Sequence, residues 1–157
     1  MKVAIVSDTH GYIDSFIDRL STMDRPDLIL HLGDNTVDGE KISQKIGIKT
    51  IIVKGNCDSG KRYSESNLVE VEGKKLFLTH GHMYNVKDSL NQIYYKGLEL
   101  GADIILFGHT HIPINIKEDN IIIMNPGSPT IPKSIDKIPS FGIIEFGEQI
   151  ITKIIQI

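Results

Sequence analysis

The chain has 157 residues, 40% of them apolar and 24% charged, with a formal net charge of −3, which suits one globular domain (1–157) and excludes a low-complexity chain or a strongly basic, nucleic-acid-binding surface. Its single cysteine, Cys57, excludes an intramolecular disulfide and fits a reducing compartment. No stretch approaches the roughly 20 apolar residues of a membrane helix, and the N-terminal apolar run stops at Asp8, so the sequence reads as cytoplasmic with no membrane contact.

Lys2–Ser7 is a short β-branched run that reads as a buried strand. Ile13, Phe16, Ile17 and Leu20 then fall at helical spacing. Pro26-Asp27 interrupts, Leu28–His31 is a second strand, Asp38–Ile46 a second helix stopped by Gly47, and Ile48–Lys54 a third strand. This alternation implies a parallel sheet with right-handed crossovers. Asn67–Val71 and Lys75–Thr79 form a hairpin through Glu72-Gly73-Lys74. Leu90, Ile93, Tyr94 and Leu98 mark a third helix over Lys87–Leu100, and Asp103–Phe107 is again a strand. Ile114–Lys117, Ile121–Asn125, Phe141–Phe146 and Ile150–Ile157 read as further strands, the last with an edge open to a homo-oligomer contact. About ten strands and three helices give an α/β fold of two mixed β-sheets packed face to face with helices outside, an αββα sandwich.

Five of the apolar runs end in a side chain that binds metals. The ends are Asp8-Thr9-His10, Gly33-Asp34, Gly55-Asn56, His80-Gly81-His82 and Gly108-His109-Thr110-His111. In open parallel sheets, ligands bind outside the carboxyl ends of the strands, so these residues share one rim. Two Asp, one Asn and at least four His exceed the demand of one tetrahedral metal. They suit a pair of cations roughly 4 Å apart that share a carboxylate. Mixed carboxylate, imidazole and amide oxygen point to Mn²⁺, Fe²⁺, Zn²⁺, Co²⁺ or Ni²⁺ rather than a thiolate site. Taken singly, Asp8 and Asp34 also read as helix N-caps and Asn56 as a turn residue, which leaves the histidines without an account.

Together the five motifs, in order over residues 8 to 111, resemble the signature of the calcineurin-like metallophosphoesterases, and Asn125-Pro126-Gly127-Ser128 adds a turn found in their small prokaryotic members. The resemblance implies a metal-dependent phosphodiesterase carrying two divalent transition metals, Mn²⁺ or Ni²⁺ before Fe, Zn or Co. It implies that Asp8, His10 and His111 hold one metal, that Asn56, His80 and His109 hold the other, and that Asp34 bridges both. A water or hydroxide on the metals attacks phosphorus in line, so that Asp34, Asn56 and His80 act in catalysis through it. The expected partner is a small phosphodiester, with no stable nucleic-acid binding.

At Cys57 the sequence departs from the family, many of whose members carry His there. A thiol is a poorer acid than imidazolium near neutrality. Cys57 reads as a small buried residue beside the site rather than a nucleophile, and Cys57 and His82 as the residues that face substrate. His31, inside its strand, reads as packing or as orienting a ligand from behind. The alternative function is a non-catalytic, metal-binding interaction scaffold such as the retromer subunit of this fold, in which the positions of Asp34 and Asn56 are changed. A nuclease of the double-strand-break-repair type fits less well, since those relatives add DNA-binding domains.

Overall fold

The computed structural model describes residues 1–157. In chain order the elements are β1 (Lys2–Val6), α1 (Asp14–Ser21), β2 (Leu28–His31), α2 (Thr36–Ile46), β3 (Thr50–Ile52), β4 (Ser66–Val71), β5 (Lys74–Thr79), a short 3₁₀ turn (His82–Tyr84), α3 (Asn91–Leu100), β6 (Ile104–Leu106), β7 (Ile114–Glu118), β8 (Ile121–Asn125), β9 (Ser140–Glu145) and β10 (Ile151–Gln156). The strands form two five-stranded sheets, ordered β10-β9-β1-β2-β3 and β4-β5-β6-β8-β7. Both are mixed. β1, β2 and β3 run parallel, as do β5, β6 and β8, while β9 and β10 at one edge and β4 and β7 at the two edges of the other sheet are antiparallel.

Alternation along each strand explains the layering. Val3 and Ile5 of β1, Leu28 and Leu30 of β2, Leu76 and Leu78 of β5 and Ile104 and Leu106 of β6 meet in a core between the sheets. The intervening residues point outward. Ala4, Val6 and Ile29 pack with Phe16 and Leu20 of α1 and Ile42 of α2. Phe77, Ile105 and Ile123 pack beneath Ile93 of α3. Every central strand is therefore apolar on both faces, which is why these runs read as continuous rather than alternating. Phe16 meets Phe141 edge to face at 5.1 Å, which seats α1 on the sheet.

Several boundaries differ from the sequence reading, for local reasons. α2 begins at Thr36 rather than Asp38, because the carboxylate of Asp58, from the loop after β3, accepts from the backbone N–H groups of Asn35 and Thr36 at 2.9 and 2.7 Å. α3 begins at Asn91 rather than Lys87. Before it, Asn85 donates to Asp88 at 2.7 Å and Ser89 accepts from the Asn91 N–H, so side chains compete with the helix for the backbone. α2 and α3 both stop at a glycine in the left-handed region, Gly47 and Gly101. The sandwich is stitched along one side, where Asn115 of β7 donates to the Thr152 carbonyl and Thr152 of β10 donates back to Asn115 Oδ1. No helix is long and apolar enough to cross a membrane.

Candidate metal centre

The carboxyl ends of β1, β2, β5 and β6 meet at one rim of the sandwich, two from each sheet. Hydrogen bonds continue the sheets into these loops: the Asp8 N–H donates to the Gly33 carbonyl and the Gly108 N–H to that of His80, both at 3.0 Å. Asp8, His10, Asp34 and His111 bring one potential ligand atom each to within 4.8 Å of one another. His80 and His109 join them. His80 Nε2 lies 3.3 Å from Asp34 Oδ1 and 3.9 Å from Asp8 Oδ1, and His109 Nδ1 lies 3.2 Å from His80 Nε2. His111 Nε2 is 3.2 Å from Asp8 Oδ1, and His10 Nε2 is 3.4 Å from His111 Nε2. Six of the seven expected ligands thus converge.

Asn56 is the seventh. It is exposed, and its amide donates to Cys57 Sγ at 3.5 Å without bonding to any of the other six. What ties its loop to the cluster is backbone, since the Cys57 N–H donates to Asp34 Oδ1 at 3.0 Å. Gly55 permits that approach, because a β-carbon there would fall on the Asp34 carboxylate.

Five of the expected ligands, Asp8, His10, Asp34, His109 and His111, have a left-handed backbone, with φ between 46 and 67°. For residues with a β-carbon this costs on the order of 1 kcal/mol each, and it persists where surrounding structure dictates it. The helix-cap reading of Asp8 and Asp34 fails. α1 is preceded by Ile13 and α2 by Asn35, neither of which caps with its own side chain, and the first N–H groups of α2 go to Asp58 instead.

The imidazoles are held from behind. A carbonyl only accepts, so His80 Nδ1 donates to Leu32 O at 2.8 Å and His111 Nδ1 to Ile131 O at 2.6 Å. The Nε2 of each ring therefore faces the cluster, and it is the atom a metal would take once its proton is off. Asp8 Oδ1 is fully buried and accepts no hydrogen bond. Buried carboxylates are normally satisfied, so this oxygen and the inward-facing nitrogens beside it fit a divalent cation.

Electrostatics agree. Burial pushes Asp34 up, yet the hydrogen bond and charge of His80 and the Cys57 N–H hold it far below the usual carboxylate range. Asp8 behaves alike: burial opposes ionisation, and His111 and His80 overcome it. For His80, burial disfavours the cation but Asp34 and Asp8 together raise its pKa. His109 is lowered to about 4 by burial and by His80. The two buried carboxylates thus draw positive charge toward themselves, through His80 in the metal-free protein.

His82 lies beside the cluster, its ring centroid 5.5 Å from that of His80 and 6.2 Å from that of His109. It is half-buried, its Nδ1 has no partner, and burial followed by the charge of His80 lowers its pKa. Cys57 is exposed, contrary to the expectation of a small buried residue. The Gly55–Asp58 turn is anchored through its backbone and through Asp58, so the Cys57 side chain is left facing outward. Desolvation and the neighbouring Asp34 push its thiol up to about 11, so it stays protonated.

Sequence reasoning missed the residues that brace the loops. Ser128 Oγ donates to the Asp8 carbonyl at 2.9 Å, and Asn125 Nδ2 donates to that of Gly108 at 2.7 Å. The Asn125-Pro126-Gly127-Ser128 turn was a signal for both. Asp38 and Asp58 gave none, because an acidic residue in a helix or a turn ordinarily faces solvent.

Residues 1–149 match the family profile described as "Calcineurin-like phosphoesterase superfamily domain". The chain belongs to the calcineurin-like phosphoesterase superfamily. Within that superfamily it is 34% identical to a protein of Methanothermobacter thermautotrophicus named "Probable metallophosphoesterase", over 99% of this chain and 92% of the relative. It is 28% identical to the phosphodiesterase YfcE of Escherichia coli, over 92% of this chain and 88% of YfcE. The structure of Vps29 from Entamoeba histolytica complexed with Zn²⁺ superposes with a TM-score of 0.81 at 22% identity over 99% of both chains, a likeness of fold. The calcineurin-like phosphoesterases thus account for the sandwich and for the Asp/His cluster at its rim.

Proposed function

We propose that this chain is a phosphodiesterase whose rim holds two divalent transition metals, Mn²⁺ or Ni²⁺ in the first place, and that its substrate is a small phosphodiester met in the cytoplasm. The observation that carries the reading is the convergence of Asp8, His10, Asp34, His80, His109 and His111 around a buried carboxylate oxygen with no hydrogen-bond donor. Six protein ligands exceed what one metal with a position open for water uses, and Asp34, whose two oxygens face His80 and His10 at 3.3 and 3.9 Å, is the natural bridge. Asn56 sits on the loop tied to Asp34 and would complete the second metal's ligands.

When bound, the cations supply Lewis-acid polarisation of the phosphoryl oxygens and an acidified water. The chain's own groups prepare for this. Asp8 and Asp34 are anionic at neutral pH, and His80 and His111 are locked in the ligating tautomer. Cys57 and Asn56 are exposed at the mouth, and half-buried His82 lies beside His80, where each can meet the ester. The similarity to a relative named a phosphodiesterase supports a diester as the substrate.

The interaction-scaffold reading remains the alternative, since Vps29 shares the fold. One experiment separates them. Metal-free protein is reloaded with Mn²⁺ or Ni²⁺, its metal content is measured, and hydrolysis of bis(p-nitrophenyl) phosphate and p-nitrophenyl phosphate is followed. About two equivalents of metal and diesterase activity that disappears on chelation are expected. A fully loaded protein inert toward every diester would leave the scaffold.

A further inference from the structure

The loop that carries Asp8 and His10 is unusual in its backbone. Asp8, His10 and Gly11 are all left-handed, with φ of 57, 46 and 93°. A segment this far from regular structure needs partners outside itself. One is Asp38, a fully buried residue in the first turns of α2. Its Oδ2 accepts from the Gly11 N–H at 2.7 Å and from the Thr9 hydroxyl at 2.8 Å, so it grips the loop on both sides of His10.

The grip extends to the next strand. The Gly33 N–H donates to His31 Nδ1 at 3.3 Å, so the hydrogen of this neutral ring sits on Nε2, 3.1 Å from Thr9 Oγ1. The Thr9 hydroxyl accepts there and passes its own hydrogen to Asp38. Every hydrogen in the relay Gly33, His31, Thr9, Asp38 therefore runs one way, and the relay ends on a carboxylate. Gly33 directly precedes Asp34, so the relay links the two strand ends that supply Asp8, His10 and Asp34.

We propose that Asp38 is a positioning residue of the metal centre: by holding Thr9 and Gly11 it sets where Asp8 and His10 point, and the metal those two residues share binds weakly without it. The inference rests on the metal-centre reading above. The other oxygen of Asp38, Oδ1, accepts no hydrogen bond and has only Lys41 nearby, at 3.8 Å. An asparagine can therefore place its carbonyl oxygen at Oδ2 and keep both hydrogen bonds, whereas a leucine of similar size keeps neither.

The test is a Co²⁺ titration of metal-free protein, read by the visible d–d absorption, alongside kinetics on bis(p-nitrophenyl) phosphate. Wild type is expected to take up about two equivalents. Asp38→Leu should weaken one of the two steps roughly tenfold or more, alter the band of that step alone, and lower kcat by a similar factor with KM little changed. Asp38→Asn should restore both within about threefold. Thr9→Val, which removes the hydroxyl link only, should shift the same step in the same direction. A folded Asp38→Leu with wild-type Co²⁺ affinities overturns the proposal, as does an Asp38→Asn no better than the leucine. Should Asp38→Leu not fold, unchanged Co²⁺ binding by Thr9→Val overturns it. A wild-type protein that takes up no Co²⁺ is a different failure, in which the metal-centre reading falls and this proposal with it.

Discussion

His80 Nδ1 donates to the carbonyl of Leu32 at 2.8 Å, which leaves His80 Nε2 as the atom that faces Asp34 Oδ1 at 3.3 Å. In metal-free protein that nitrogen carries a proton over a widened pH range, since Asp34 and Asp8 raise the pKa of His80 against the effect of burial. A metal must displace this proton. Affinity for Mn²⁺ should therefore climb as pH rises from 6 to 8, with protons released on binding. Titrations at several pH values, in buffers of different ionisation enthalpy, read both quantities; an affinity flat in pH would remove His80 from the ligand set.

Asp34 faces ligands from both sheets, His10 at 3.9 Å and His80 at 3.3 Å, and the proposed bridging role predicts that Asp34→Asn loses activity out of proportion to stability. An amide keeps the hydrogen bond from the Cys57 N–H but gives up the charge that the two proposed cations would share. Loss of several kcal/mol of transition-state stabilisation corresponds to a fall in kcat of about a hundredfold or more. The melting temperature of the metal-free variant should fall only modestly below that of metal-free wild type, because the charge that His80 and the Cys57 N–H stabilise is gone while the neutral hydrogen bond stays. Full activity in the variant would refute the bridge.

His31 makes a prediction about stability alone. Burial lowers its pKa from 6.5 to about 4, with only partial compensation from Asp38. Between those values the unfolded chain binds a proton that the folded chain does not. The stability His31 contributes is therefore complete above about pH 6.5 and is lost as pH falls toward 4, for a total of about 3 kcal/mol. Urea unfolding of chelated protein from pH 7 down to pH 4.5 should show this decline, and His31→Gln should flatten it. An equally steep decline in the variant would assign the loss to other groups.

Cys57 bears on the leaving group. Its thiol, pushed up to about 11, is a weak acid at the mouth of the site. Cys57→His should raise turnover on alkyl diesters, which need a proton donor, more than on activated aryl diesters. Comparing kcat for the two substrate types decides it, and an equal change on both would count against the account. The same raised pKa predicts slow alkylation by iodoacetamide at pH 7 despite exposure, because the thiolate is the reactive form.

Much of the fold was legible because its central strands are buried on both faces. Val3–Val6, Leu28–Leu30, Leu76–Leu78 and Ile104–Leu106 are uninterrupted apolar runs, and each leads within a few residues to a candidate metal ligand. Helix existence was equally legible from Phe16 and Leu20, Ile42, and Ile93. The starts of α2 and α3 were not, because they depend on hydrogen bonds to the Asp58 carboxylate and within the Asn85–Ser89 turn rather than on periodicity.

By itself the sequence determined which residues line the rim: strand periodicity fixes where each strand ends, and a residue at the end of a buried strand has nowhere to go but the crevice. Only the tertiary structure decided how those ends meet. Apolar periodicity states that a face is buried but not against what, so nothing local could say that the sheet orders set His80 and His109 of one sheet against Asp8 and Asp34 of the other. The same holds for Asp38, whose carboxylate is read by a loop 27 residues earlier in the chain, and for Cys57, exposed because its backbone rather than its side chain is anchored on Asp34. Hydrogen bonds across such separations depend on chain folding that no window of sequence contains.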